Sequence, residues 1–96
     1  PQRRGTAYWI ERDGAVWLVT RPGSGLFAGM RALPDDGWSA QADGTGQPPL
    51  EGSRDPAGIV RHVFTHAALE LRVERLTGAG QPAGAGEWWP LAQLDQ

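Results

Sequence analysis

A chain of 96 residues with 40% hydrophobic content is long enough for one core and too short for two. It contains no cysteine and all nine of its basic residues are arginine, which excludes disulfides, iron–sulfur ligation, thiolate zinc and a P-loop lysine from these residues. The net charge of −2 is unevenly spread: residues 1–31 hold five Arg against two acids, residues 32–58 one Arg against five, and residues 59–96 three Arg against four.

Fourteen Gly and eight Pro predict a chain rich in turns. No apolar run is long enough for a membrane helix, and no charged-then-apolar leader opens the sequence. The chain begins at Pro1 and stops at Gln96 inside a starting helical turn, which reads as a piece of a longer protein.

Residues 6–12 and 15–21 are both rich in β-formers, and Asp13-Gly14 lies between them. An Asp-Gly pair in that place predicts a two-residue hairpin, because both central residues tolerate positive φ. In the second run Val16 and Leu18 share one face and Trp17 and Val19 the other. With both faces apolar, the strand is expected inside its sheet. Residues 21–25 carry turn chemistry, residues 26–30 form a short apolar stretch, and residues 31–34 read as a brief strand stopped by Pro34 and Asp35-Asp36-Gly37.

Residues 39–58 contain Gly44, Gly46, Gly52, Gly58, Pro48, Pro49 and Pro56, with Leu50 alone strongly apolar. Such a segment buries too little to offset its ordering entropy, so a long, mobile surface loop is expected, more simply an insertion than a functional lid. Residues 67–76 have helical propensity, and Leu69, Val73 and Leu76 fit a helical stripe. Strict alternation of Leu69, Leu71 and Val73 with Glu70, Arg72 and Glu74 accounts for more of the residues and predicts a strand with one wet face. Residues 77–86 read as a loop, residues 87–89 as a last strand, and Pro90 as the opening of a helical turn. The sum is about five short strands, long loops and little helix.

Most catalytic signatures are missing. His62 and His66 are four apart, but Val63 stands where a zinc protease needs Glu, and no third ligand is near; a packed and an exposed imidazole beside a strand is the simpler reading. The signature of Nudix-type hydrolases is a Gly, a Glu six on, and an Arg-Glu…Glu-Glu helix that holds Mg²⁺ between carboxylates. Gly5 with Glu11 and Gly29 with Asp35 have the first spacing, yet residues 19–24 and 43–48 contain no Glu, and the chain has no adjacent Glu pair. Five Trp residues fit core and surface cover better than base stacking. The most unusual stretch is Arg61-His62-Val63-Phe64-Thr65-His66, which gathers a cation, a hydroxyl, two imidazoles and an aromatic ring, all able to bond to or stack on a base.

Four groups of residues together resemble the C-terminal domain of MutY-type adenine DNA glycosylases: Arg3-Arg4-Gly5; residues 25–30 with Pro34; residues 60–66 with Leu69-Glu70-Leu71; and Trp88-Trp89-Pro90-Leu91. The resemblance covers nearly all of the chain outside residues 39–58. It implies a single α+β, β-dominated domain over residues 1–96, a Nudix-like mixed sheet with little helix, the usual helix being replaced by the 39–58 loop. It also implies recognition of 8-oxoguanine opposite a mispaired adenine, without pyrophosphohydrolase chemistry. The family's Phe-Ser-His loop falls on Phe64, Thr65 and His66, with Thr65 keeping the hydroxyl and adding a methyl.

Arg61 and His62 join that loop as DNA-binding candidates, and Arg3 and Arg4 are candidate phosphate contacts. The fragment itself is expected to hold no cofactor and no catalytic residue. The excision residues and a 4Fe-4S cluster belong, in that family, to a helical N-terminal domain outside these residues. Implied partners are that domain and duplex DNA carrying 8-oxoguanine:A or G:A mispairs, with no membrane, a monomeric state and a bacterial, nucleoid-associated cytoplasmic setting. The family's Trp-Glu-Phe-Pro-like stretch is replaced by Arg31-Ala32-Leu33-Pro34. The alternatives are a Nudix-type nucleotide pyrophosphohydrolase and a structural module docking a partner through its acidic loop.

Overall fold

Asp13 and Gly14 take φ of 50° and 78°, the two positive values that close a tight hairpin. The computed structural model describes residues 2–20, 30–39, 41–63, 65 and 68–94. Among these the strands are β1 (Gln2–Trp9), β2 (Glu11–Arg12), β3 (Ala15–Thr20), β4 (Arg31–Ala32), β5 (Ser53–Val63), β6 (Ala68–Thr77) and β7 (Glu87–Pro90), followed by one 3-10 turn, Leu91–Gln93. The expected turn over residues 21–25, and residues 26–29 of the apolar stretch, lie outside the described residues.

The strands form two sheets. In the first, β6 is central, parallel to β1 and antiparallel to β5. In the second, β3 pairs antiparallel with β2, β4 and β7, the interior position its two apolar faces require. Ile10 joins them: the chain passes from β1 to β2 there, and its carbonyl accepts from the Trp17 amide at 3.0 Å. The core lies at this junction, where Tyr8, Ile10, Trp17, Leu50 and Leu76 pack together, with Val19 and Trp88 against them.

The alternation over residues 67–76 is a strand, β6, as its period of two predicts. The expected loop over residues 39–58 is corrected at its C-terminal end, because residues 53–58 belong to β5. β5 is an edge strand, where Pro costs no ladder bond, and a register shift between Pro56 and Gly58 absorbs the irregularity. Gly58 sits at φ 155°, a conformation that a side chain disfavours. Residues 44, 49 and 50 of the segment are anchored. Leu50 enters the core, the Ala83 amide donates to the Pro49 carbonyl at 2.8 Å, and the Gly44 amide donates to the Arg4 carbonyl at 2.8 Å. Together with bonds from Tyr8 N to Pro34 O and Asp36 N to Thr6 O, residues 34–36 and 43–44 cover the free edge of β1.

A bidentate ion pair braces β5 on β6. Arg54 Nε donates to Glu74 Oε2 at 3.0 Å and Nη2 to Oε1, while the guanidinium sits 5.7 Å from the centre of the Tyr8 ring. The hydrogen bonds from Arg54 hold the Glu74 carboxyl below its usual pKa. A depressed pKa stabilises the fold above the unfolded carboxylate pKa, and that contribution is lost as pH falls through the folded value. Arg54 is 38% exposed, so the pair ranks with surface bridges. Glu74→Gln should therefore cost about 0.5–1 kcal/mol at pH 7 in urea unfolding. The difference from the parent should vanish in acid, once Glu74 is protonated in both states.

Candidate functional site

The register of β1, β6 and β5 lines their residues up in rows across the first sheet. Arg3, Leu69 and His62 form one row, Arg4, Glu70 and Arg61 the next, then Gly5, Leu71 and Val60, then Thr6, Arg72 and Ile59. Successive rows point to opposite faces. Arg3, Arg4, Arg61 and His62 are thus brought to the end of the sheet where β5 turns into β6, and Thr65 is exposed in that turn. Phe64 and His66 lie outside the described residues. The sequence candidates share one end of the sheet but divide between two faces.

One face is apolar. Val60, Leu69, Leu71, Val73 and Ala7 floor a cavity of about 440 Å³, with Trp38 and Leu33 in its walls and His62 lining it as well. Gly5 makes this possible: a Cβ there would lie 2.6 Å from Trp38 Cδ1, so only glycine lets the indole cross β1. The opposite face is charged. Arg4, Glu70 and Arg72 surround a second recess of about 290 Å³, with Thr6, Asp36 and residues 44–46. Arg61 Nε lies 3.6 Å from Glu70 Oε2, an ion pair longer than a hydrogen bond, and its side chain is 70% exposed.

The tryptophans are engaged in packing, as expected. Trp17 meets Trp88 edge-on at 5.1 Å, Arg12 lies over Trp88, and Arg31 lies 4.3 Å over Trp89 while pairing with Glu87 at 2.8 Å. Trp9 Nε1 donates to Glu11 Oε1 at 3.0 Å. Arg72, Asp36 and Trp38 are the site-forming residues that sequence reasoning missed. Arg72 was legible only as part of a wet face; the other two sit in segments whose local composition signals turn and loop.

The NUDIX domain model matches residues 5–96. The chain belongs to the NUDIX family. A solved structure, the MutT NUDIX hydrolase from Burkholderia pseudomallei, is similar to this NUDIX domain with a TM-score of 0.75 and 21% identity, over 100% of this chain and 88% of that one. At that identity the likeness is one of fold, and it bears out the β-dominated, Nudix-like architecture. No curated protein matches the chain. Among the described residues no set of side chains fits the divalent cation that pyrophosphate-cleaving NUDIX enzymes use. The sequence has no adjacent Glu pair, and among the described residues no group of three or more His, Cys, Asp or Glu converges. No helix among the described residues is long and apolar enough to cross a membrane.

Proposed function

We propose that this NUDIX domain is the lesion-reading C-terminal module of an A/G-specific adenine DNA glycosylase, recognising 8-oxoguanine opposite the mispaired adenine in base excision repair. The observation that carries the reading is a NUDIX chain without the Glu pairs of the hydrolases, whose Arg3, Arg4, Arg61, His62 and Thr65 gather at one sheet end. A fold that keeps its scaffold and lacks its metal carboxylates is suited to binding rather than hydrolysis.

The chemistry is that of an altered base edge. Guanine N7 accepts a hydrogen bond, whereas 8-oxoguanine presents N7–H as a donor beside an O8 acceptor. A hydroxyl both donates and accepts, so the Thr65 side chain can serve the altered edge with neighbouring backbone groups. Phe64 would stack beside the lesion and His66 would orient the turn or reach a phosphate. Arg61, His62, Arg3 and Arg4 would hold the flanking backbone. Excision and a 4Fe-4S cluster would reside in a helical partner domain of the same chain, since no cysteine is present here. The assembly would act as a monomer on duplex DNA in the bacterial cytoplasm.

The test is Thr65→Ala. Losing the hydroxyl leaves one polar edge unsatisfied, about 1–3 kcal/mol, so the preference for 8-oxoguanine:A over G:A should fall about tenfold, and Thr65→Ser should retain it. An unchanged preference in Thr65→Ala would remove Thr65 from the site. Mg²⁺-dependent release of pyrophosphate from a nucleotide by the purified domain would overturn the reading in favour of a NUDIX hydrolase.

A further inference from the structure

We propose that Arg4, Arg61 and Arg72 form a phosphate pad for the backbone of duplex DNA, on the sheet face opposite the apolar cavity; the inference rests on the domain being a DNA reader. The three arginines come from three different strands, and the register alone brings them together. Arg4 and Arg61 flank Glu70 in one row, and Arg72 follows Glu70 by two residues on β6, on the same face. Arg4 and Arg72 are exposed, and among the described residues neither forms a salt bridge. Among the described residues Arg61 is paired with Glu70, at 3.6 Å, a contact that a phosphate oxygen can replace.

Of the other carboxylates on this face, Glu74 is paired with Arg54, and the two on the covering segment accept from backbone amides. Asp36 accepts from Thr6 N at 3.0 Å and from Gly46 N at 2.9 Å, and Asp43 accepts from Arg4 N at 3.0 Å. Glu70 offsets the charge of Arg4 and Arg61, its neighbours in the row, so the pad offers three guanidinium forks rather than a net positive field. Guanidinium is the side chain whose planar fork matches phosphate geometry. Distance favours DNA over another polyanion. Arg61 is four residues from Thr65, at most about 13 Å along an extended strand, so a duplex that brings a lesion to Thr65 carries its own phosphates past the pad.

The experiment measures binding of the purified domain to a lesion-free duplex across a salt series, for the parent, Arg72→Gln, the triple Arg4→Gln/Arg61→Gln/Arg72→Gln variant, and Arg75→Gln. Arg75 is exposed on the same strand but points to the other face. Each phosphate contact contributes about −0.9 to the slope of log K against log salt. Arg72→Gln should lower the slope by about one and the triple variant by about two to three, while Arg75→Gln leaves it alone. The ratio of 8-oxoguanine:A to G:A binding should be preserved in Arg72→Gln and Arg75→Gln, whose residues lie outside the proposed reading site. An unchanged slope in the triple variant, with lesion preference intact, overturns the pad and leaves the proposed function standing. A lowered slope in a domain without lesion preference keeps the pad and overturns that function. Failure of the parent to bind duplex at low salt overturns both.

Discussion

Leu76→Ala should destabilise the domain by about 2–5 kcal/mol, the range measured for emptying a fully buried leucine site. Leu76 is 1% exposed and packs with Tyr8, Ile10, Trp17 and Leu50, where the ends of β1 and β6 meet the second sheet. Few large side chains fill this core, so its neighbours have little freedom to collapse into the gap. A domain of this size has about 5–15 kcal/mol in all, and each lost kcal/mol lowers the melting midpoint by about 4–8 °C. The comparison is Leu69→Ala. Leu69 is 6% exposed, but it floors the open cavity on the other face, so truncation there enlarges a space that already exists. It should cost about 1–2 kcal/mol, the transfer contribution without the penalty of a sealed void. Urea unfolding of both variants decides the matter: equal losses would mean that the core has been placed on the wrong side of the sheet.

The parts of this fold that were legible in the sequence are those whose signals are local. Asp13-Gly14 needs only two positive φ values, Val16 to Val19 need only two apolar faces, and Leu69 to Glu74 need only a period of two; each became the expected element. β5 was partly hidden, because Pro56 and Gly58 give residues 53–58 the composition of a loop. An edge strand with a register shift accepts both residues, and nothing in the neighbouring sequence announces an edge.

The site was legible in its residue types and not in its geometry. Arg61, His62 and Thr65 stood out as a cluster along the chain, but their meeting with Arg3 and Arg4 depends on a parallel pairing between strands more than sixty residues apart. Alternation along β5 puts His62 and Arg61 on opposite faces, and the pairing register brings Arg72 to the charged face beside Arg4. The family resemblance predicted the NUDIX fold, which the family match bears out. Its motif on Phe64, Thr65 and His66 falls where only Thr65 is described.

Asp36→Ala should cost about 2–4 kcal/mol, although a run of Asp-Asp-Gly ordinarily marks a tolerant surface turn. Asp36 is 6% exposed. Its Oδ1 accepts from Thr6 N at 3.0 Å and its Oδ2 from Gly46 N at 2.9 Å, so one carboxylate joins β1 to the segment that covers its edge. Its backbone adds bonds to Thr6 O and from Thr45 N, and the Thr45 hydroxyl donates to its carbonyl at 3.2 Å. Gly44 leaves the space the carboxylate fills, since a Cβ there would lie 1.8 Å from Oδ1. Alanine leaves two amides without their acceptor, and the penalty for an unmade buried bond exceeds the gain from a made one. Asn keeps one oxygen and turns a donor toward a donor, so Asp36→Asn should fall between parent and Ala. Asp43→Ala is the control: Asp43 is exposed and, among the described residues, accepts a single hydrogen bond, from Arg4 N, so its loss should stay near 0.5 kcal/mol. Hydrogen exchange at the Thr6 and Gly46 amides should accelerate in Asp36→Ala and not in Asp43→Ala. With its edge cover loosened, β1 would hold Arg4 less firmly beside Glu70, and the salt dependence of DNA binding should weaken before the fold is lost. If Asp36→Ala unfolds at the same denaturant midpoint as Asp43→Ala, the carboxylate is not the anchor of this edge.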